Sequence, residues 1–158
     1  MQKILEYNLN VDVNEKFPFM PVLHDCKVNE IRIEDNILII TSNDLQNHDE
    51  DSLVFAGFHA KKVQVEFVFE EEIDCMVIVS VSSPKKQIRE NHKYGYGKRS
   101  NCYDIREFIT IYRDYRLEIL YNMVSFNQVN LILAGHKNKI SEIEMQLFGC
   151  QVRYIFTD

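Results

Sequence analysis

Residues 63–70 read Val63-Gln64-Val65-Glu66-Phe67-Val68-Phe69-Glu70, and this stretch decides the class of fold. Val63, Val65, Phe67 and Phe69 recur at every second position, with Gln64, Glu66 and Glu70 between them. In an extended chain successive side chains point to opposite faces, so a period of two sets one face on a core and the other toward water. The same alternation returns in Leu117, Ile119, Tyr121 and Met123 against Glu118, Leu120 and Asn122. It returns again in Ile143, Met145 and Leu147 against Glu142, Glu144 and Gln146, and in Cys150, Val152, Tyr154 and Phe156. All of these read as strands with one wet face.

Working outward, Val28 to Glu34 and Ile37 to Thr41 are separated by Asp35-Asn36, residue types that tolerate the positive φ of a tight turn. This predicts a hairpin. Its second arm, Ile37-Leu38-Ile39-Ile40, is apolar on both faces, as a central strand covered from both sides would be. Ser125-Phe126-Asn127 predicts a second hairpin, and Gly135 to Lys139 a turn beyond it, so the last four strands read as a closing meander.

One segment departs from the period of two. Ile105, Phe108, Ile109 and Tyr112 fall at helical spacing, and Asp104 with Glu107 three residues later can cap the first turn. A short helix over about 104–114 is expected, although the β-branched run Ile109-Thr110-Ile111 leaves a strand as the alternative. The predicted fold is α+β: an antiparallel sheet of about seven to nine strands with one helix before a C-terminal meander. At 158 residues and 46% hydrophobic content, the chain from 1 to 158 suits a single domain with a sizeable core.

Several function classes are disfavoured. Apolar runs such as Ile37 to Ile40 are short, far below the roughly 18 residues that a membrane helix requires. The opening MQKILEYNLNVDVNEKF carries no apolar stretch followed by small residues, so a secretory signal is not expected and the cytoplasm is the predicted location. Cys26, Cys75, Cys102 and Cys150 are far apart and form no ligand pair, which predicts free, buried thiols, and neither a metal nor a cofactor is expected.

Charge is unevenly placed. Lys85, Lys86, Arg89, Lys93, Lys98 and Arg99 crowd into residues 83–101 with only Glu90 against them, and Tyr94 and Tyr96 stand by for stacking. Yet the whole chain carries a net −6, so the body outside this loop is more acidic still and repels a phosphate backbone. A solvated hairpin loop is the simpler reading. Gly95-Tyr96-Gly97-Lys98 has the wrong glycine spacing for a phosphate-binding loop.

Two acidic segments remain: Asp44, Asp49, Glu50 and Asp51 in residues 43–52, and Glu70, Glu71, Glu72 and Asp74 after the Val63 strand. Together they predict an acidic face, with Asp49, Glu50, Asp51, Glu70, Glu71 and Glu72 as the partner-binding candidates and a basic protein as the partner. The second candidate is chemical. His24-Asp25-Cys26 puts an imidazole and a thiol two residues apart, able to share a strand face while Asp25 points away. A small enzyme using His24, Asp25 or Cys26 is therefore the alternative to a non-catalytic binding domain.

The run Leu23-His24-Asp25-Cys26-Lys27-Val28 leading into IRIEDNILIITSNDL resembles the opening of a set of small bacterial strand-rich domains. The C-terminal run RLEILYNMVSFNQVNLILAGHKNKISEIEMQLFGCQVRYIF resembles their closing meander. Some related domains are described as immunity proteins of polymorphic toxin systems. The resemblance implies a protein that acts by binding a toxin and has no active site.

Overall fold

The computed structural model describes residues 2–9, 21, 23–45, 60–82, 98–135 and 140–158. Among the described residues, eleven strands and one helix follow in order: β1 (Gln2–Asn8), β2 (Cys26–Val28), β3 (Glu30–Glu34), β4 (Ile37–Ser42), β5 (Lys62–Phe69), β6 (Cys75–Ser82), β7 (Lys98–Asp104), α1 (Ile105–Tyr112), β8 (Leu117–Ser125), β9 (Gln128–Gly135), β10 (Ile140–Phe148) and β11 (Cys150–Thr157). They form two antiparallel sheets, one in the order β1-β11-β5-β4-β3 and the other β2-β8-β9-β10-β6-β7. The α+β class holds. Strands exceed the expected seven to nine because β1 and β7 lack clear alternation, and because β2 and β3 are one run divided at Asn29.

The two inner faces meet in one core. From the first sheet come Leu38, Ile40, Val65, Phe67, Val152, Tyr154 and Phe156; from the second come Val77, Val79, Leu131, Leu133, Ile143 and Met145. Each fully buried side chain of this size contributes about 1.5–3 kcal/mol by leaving water. The alternation that placed Val63, Val65, Phe67 and Phe69 inside is observed as read. Its opposite face is drier than expected. Glu66 is only 8% exposed, because its neighbours across the sheet are Arg153 and Ile39. The burial is compensated by Arg153 Nε at 3.3 Å and by Gln64 Nε2, which donates at 2.6 Å.

The predicted hairpin is present, with Asp35 at φ 52 and Glu34 opposite Ile37. The helix is present too, slightly shorter than expected. The Asp104 side chain accepts from the Arg106 N–H at 2.8 Å, and Ile105, Phe108 and Tyr112 are buried beneath it. Three sequence expectations need correction. In β8 the register shifts between Ile119 and Tyr121, leaving Leu120 as an extra residue. Such a bulge reverses the faces. Leu117 and Ile119 point inward, but Tyr121 and Met123 are 43% and 49% exposed, while Asn122 pairs with inward Leu131.

The second correction concerns the meander. β8, β9 and β10 do run as a meander, but β11 leaves them at Gly149 and joins the other sheet between β1 and β5. Gly149 has φ +70, a conformation that glycine adopts without a side-chain clash and that turns the chain from one sheet to the other. The third concerns the basic loop, whose residues from Lys98 onward belong to β7 and pair with β6 as far as Ser82 opposite Lys98. Residues 83–97 lie outside the described set.

Candidate functional site

The turn from Leu23 to Cys26 holds the chemical candidates. Asp25 takes φ 62, its N–H donates to the Ile119 carbonyl at 2.8 Å, and the Cys26 N–H closes the turn on the Leu23 carbonyl at 3.1 Å. This geometry sends the three side chains in two directions. His24 Nδ1 and Asp25 Oδ2 meet at 2.8 Å on the surface, both more than half exposed. Cys26 points the other way into the core.

The face-sharing expected for His24 and Cys26 is thus reversed, because a tight turn and not a straight strand carries His24. Burial pushes the Cys26 thiol up to about 12, and the carboxylates of Asp44, Asp25 and Glu118 push the same way against a hydrogen bond with Ser42. Such a thiol stays protonated at neutral pH. Nucleophilic attack needs a thiolate beside a base, and this turn holds its thiol and its imidazole apart.

Cys75 and Cys150 are likewise buried and pushed up to about 12, chiefly by desolvation. Cys102 departs from the expectation of burial. It is exposed, since it lies on β7 at the end of its sheet with its neighbour Tyr103 taking the inward position beside Tyr112. All four thiols are free. Among the described residues no three His, Cys, Asp or Glu side chains gather to hold a metal ion.

The acidic candidates divide. Asp49, Glu50 and Asp51 lie outside the described residues. Glu70, Glu71 and Glu72 occupy the turn between β5 and β6 and are exposed, as is Asp74 after them. This turn is held at both ends. The Phe69 N–H donates to the Asn36 carbonyl at 3.0 Å, the Asn36 side-chain amide donates to the Phe69 carbonyl, and the Phe148 N–H donates to the Asp74 carbonyl at 3.0 Å. The turn rims an open hollow of about 470 Å³ whose floor is Phe69, Ile73, Phe148 and Gly149.

This turn gathers several carboxylates without compensation. A number of carboxylates elsewhere are paired: Glu30 and Glu34 with Arg32, Glu6 and Glu66 with Arg153, Asp44 with Lys27, Asp25 with His24. Among the described residues none of Glu70, Glu71, Glu72 and Asp74 has an ion-pair partner. Asp35 adds to the same end, because Asn36 ties its turn to Phe69. The sequence reading missed Asp35; its role as a turn former hid the fact that the turn docks on the acidic one. Compared with family models, with curated proteins and with solved structures, the chain shows no significant match.

Proposed function

We propose that this chain is a non-catalytic protein-binding domain that docks a basic protein partner through the acidic turn of Glu70, Glu71 and Glu72. The observation that carries the reading is the row of exposed carboxylates that have no counter-charge among the described residues, on a turn anchored at both ends. Uncompensated charge of one sign raises the encounter rate with a partner of the other sign, and an anchored turn loses little entropy when it binds. Asp49, Glu50 and Asp51 are further partner-binding candidates in this reading. An immunity-protein role, binding and silencing a basic toxin, fits both this surface and the resemblance of residues 23–45 and 116–156 to such domains. Four free thiols, one of them exposed, suit the reducing cytoplasm. No helix among the described residues is long and apolar enough to cross a membrane.

The test is charge reversal. A partner captured from cell extract is titrated against wild-type protein and E70K/E71K/E72K by stopped flow at several salt concentrations. The triple variant is expected to associate about tenfold more slowly at low salt and to lose most of the salt dependence, with an unchanged melting temperature. Equally fast association would remove the acidic turn from the interface. The alternative enzyme reading has the His24–Asp25 contact in its favour. It would take the lead if a turnover activity of the purified protein disappeared in His24→Ala.

A further inference from the structure

The long run from β2 into β3 has different neighbours along its length. β8 pairs with β2 as far as Leu117 opposite Val28, and there β8 begins, since the chain before it comes from α1. Past Asn29 the run continues as β3 with β4 on one side. Among the described residues no strand lies on its other side. Among the described residues, the lane that β8 fills beside β2 therefore holds no strand beside β3.

The backbone facing that lane is ready to pair. Glu34 and Ile37 flank a two-residue turn and so form a hydrogen-bonded pair, and the pattern alternates from there. Arg32 then bonds to Ile39, while the N–H and C=O groups of Ile31 and Ile33 point away from β4 into the lane. Such groups are a template for another strand. Beside them, between β2–β3 and the helix, lies a cleft of about 190 Å³ walled by Val28, Ile31, Phe108, Ile109 and Tyr112. The aromatic wall is fixed: Tyr112 stacks on Phe108 at 4.9 Å between ring centres and meets Tyr115 edge-on at 4.8 Å. At the other end of β3 stand Asp35 and, through Asn36 and Phe69, the uncompensated turn of Glu70, Glu71 and Glu72.

We propose that the edge of β3 receives an extended segment of a protein partner as an added strand. One large apolar or aromatic side chain of the segment enters the cleft, and Lys or Arg at its far end lies over Asp35 and the acidic turn. From Ile31 to Asp35 a strand covers about 13 Å, so anchor and basic residue are about four positions apart. Main-chain bonds to Ile31 and Ile33 supply affinity, and the cleft and the acidic end supply selectivity. This inference rests on the reading that the chain binds a protein, and deepens it by naming the chemistry of the bound segment.

The probe is a phage-displayed library of random peptides about twelve residues long, selected on the full chain. Enriched peptides are expected to carry an aromatic or large aliphatic residue about four positions from Lys or Arg. They should bind about tenfold more weakly to Ile33→Pro, which removes a lane-facing N–H from an edge strand where proline is tolerated. They should lose as much on Ile109→Arg, which fills the cleft from the helix surface. Melting curves establish that each variant folds, and Ile109→Arg carries the test alone if Ile33→Pro does not fold. No enrichment, or enriched peptides that bind both variants as they bind wild type, overturns strand addition. Loss confined to E70K/E71K/E72K overturns strand addition and leaves docking on the acidic turn standing. Loss on Ile33→Pro and Ile109→Arg but not on E70K/E71K/E72K supports strand addition and removes the acidic turn.

Discussion

Among the chain's passages between the two sheets, two are corners of a single residue, and they are built in opposite ways. At Gly149 the passage takes one residue. Its N–H donates to the Asn127 carbonyl at 2.9 Å, the preceding Phe148 is bonded to Asp74, and the following Cys150 is buried. At Asn29 the passage also takes one residue, whose N–H reaches Thr41 at 2.8 Å, but the strand beside it stops and a cleft opens under the helix. The Gly149 corner is closed by backbone hydrogen bonds and forms part of the floor beneath the acidic turn. At Asn29, among the described residues, a strand edge is left without a neighbouring strand beside an apolar cleft.

The comparison breaks most severely if the wall of the open corner proves dispensable. Phe108 is 1% exposed and stacks on Tyr112, so Phe108→Ala is expected to cost about 3–5 kcal/mol in urea unfolding. A cost below about 1 kcal/mol would mean that the helix does not seal the core there. The closed corner should respond less. A Cβ at Gly149 would meet only the Asn127 side chain at 3.9 Å, so space is not the obstacle and the positive φ is. Gly149→Ala should therefore cost about 1–2 kcal/mol, and Gly149→Asn distinctly less because asparagine tolerates this conformation. Equal costs for both would assign the effect to lost packing instead.

The smallest effect is kinetic, and the thiols beside each corner report it. Cys26 leads into the open corner on a three-residue strand and Cys150 leaves the closed one on an eight-residue strand. With a thiol reagent at mildly alkaline pH, Cys102 should react at once, Cys26 through local opening, and Cys150 and Cys75 only on global unfolding. Mass spectrometry of timed samples gives the order, and Cys150 reacting before Cys26 would reverse the comparison. The same thiols set an alkaline limit. Folded Cys26, Cys75 and Cys150 hold their protons up to about 12 against 9.0 ordinarily, so the native state binds more protons above 9. The stability they contribute is complete below that pH and is lost as pH rises toward 12.

Sequence alone was informative wherever one physical signal acted by itself. The alternation in Val63 to Phe69, the Asp35-Asn36 turn and the stripe of Ile105, Phe108 and Tyr112 each depend on local periodicity or turn chemistry, and each is found as read. The misreadings arose where tertiary context decides. Nothing in Ile119-Leu120-Tyr121 announces a bulge, since the apolar run allows either register, and β9 across the sheet selects one. No role was read for Gly149 in the sequence, because its part as a corner depends on β5 and β1 giving β11 a second sheet to join. Of the candidate sites, the charge of Glu70, Glu71 and Glu72 was visible in sequence, but their want of partners was not. The lane beside β3, which holds no strand among the described residues, was wholly hidden, being a relation among β2, β8 and α1.

The position of β11 has a consequence for synthesis. It joins β1 to β5, with Gln2 opposite Thr157 and Phe69 opposite Cys150, so the first sheet has a gap until its last strand exists. A ribosome adding about 5–20 residues per second needs roughly 4–18 seconds to go from Phe69 to Thr157. Throughout that interval β1 has no place to pair and the apolar edge of β5 is open. The nascent chain must cross this window without joining another copy of itself. Folding dominated by such distant pairings is slow once the chain is complete, and a ribosome that stalls a few residues short of β11 releases a product with β5 still exposed, to be bound by chaperones or degraded.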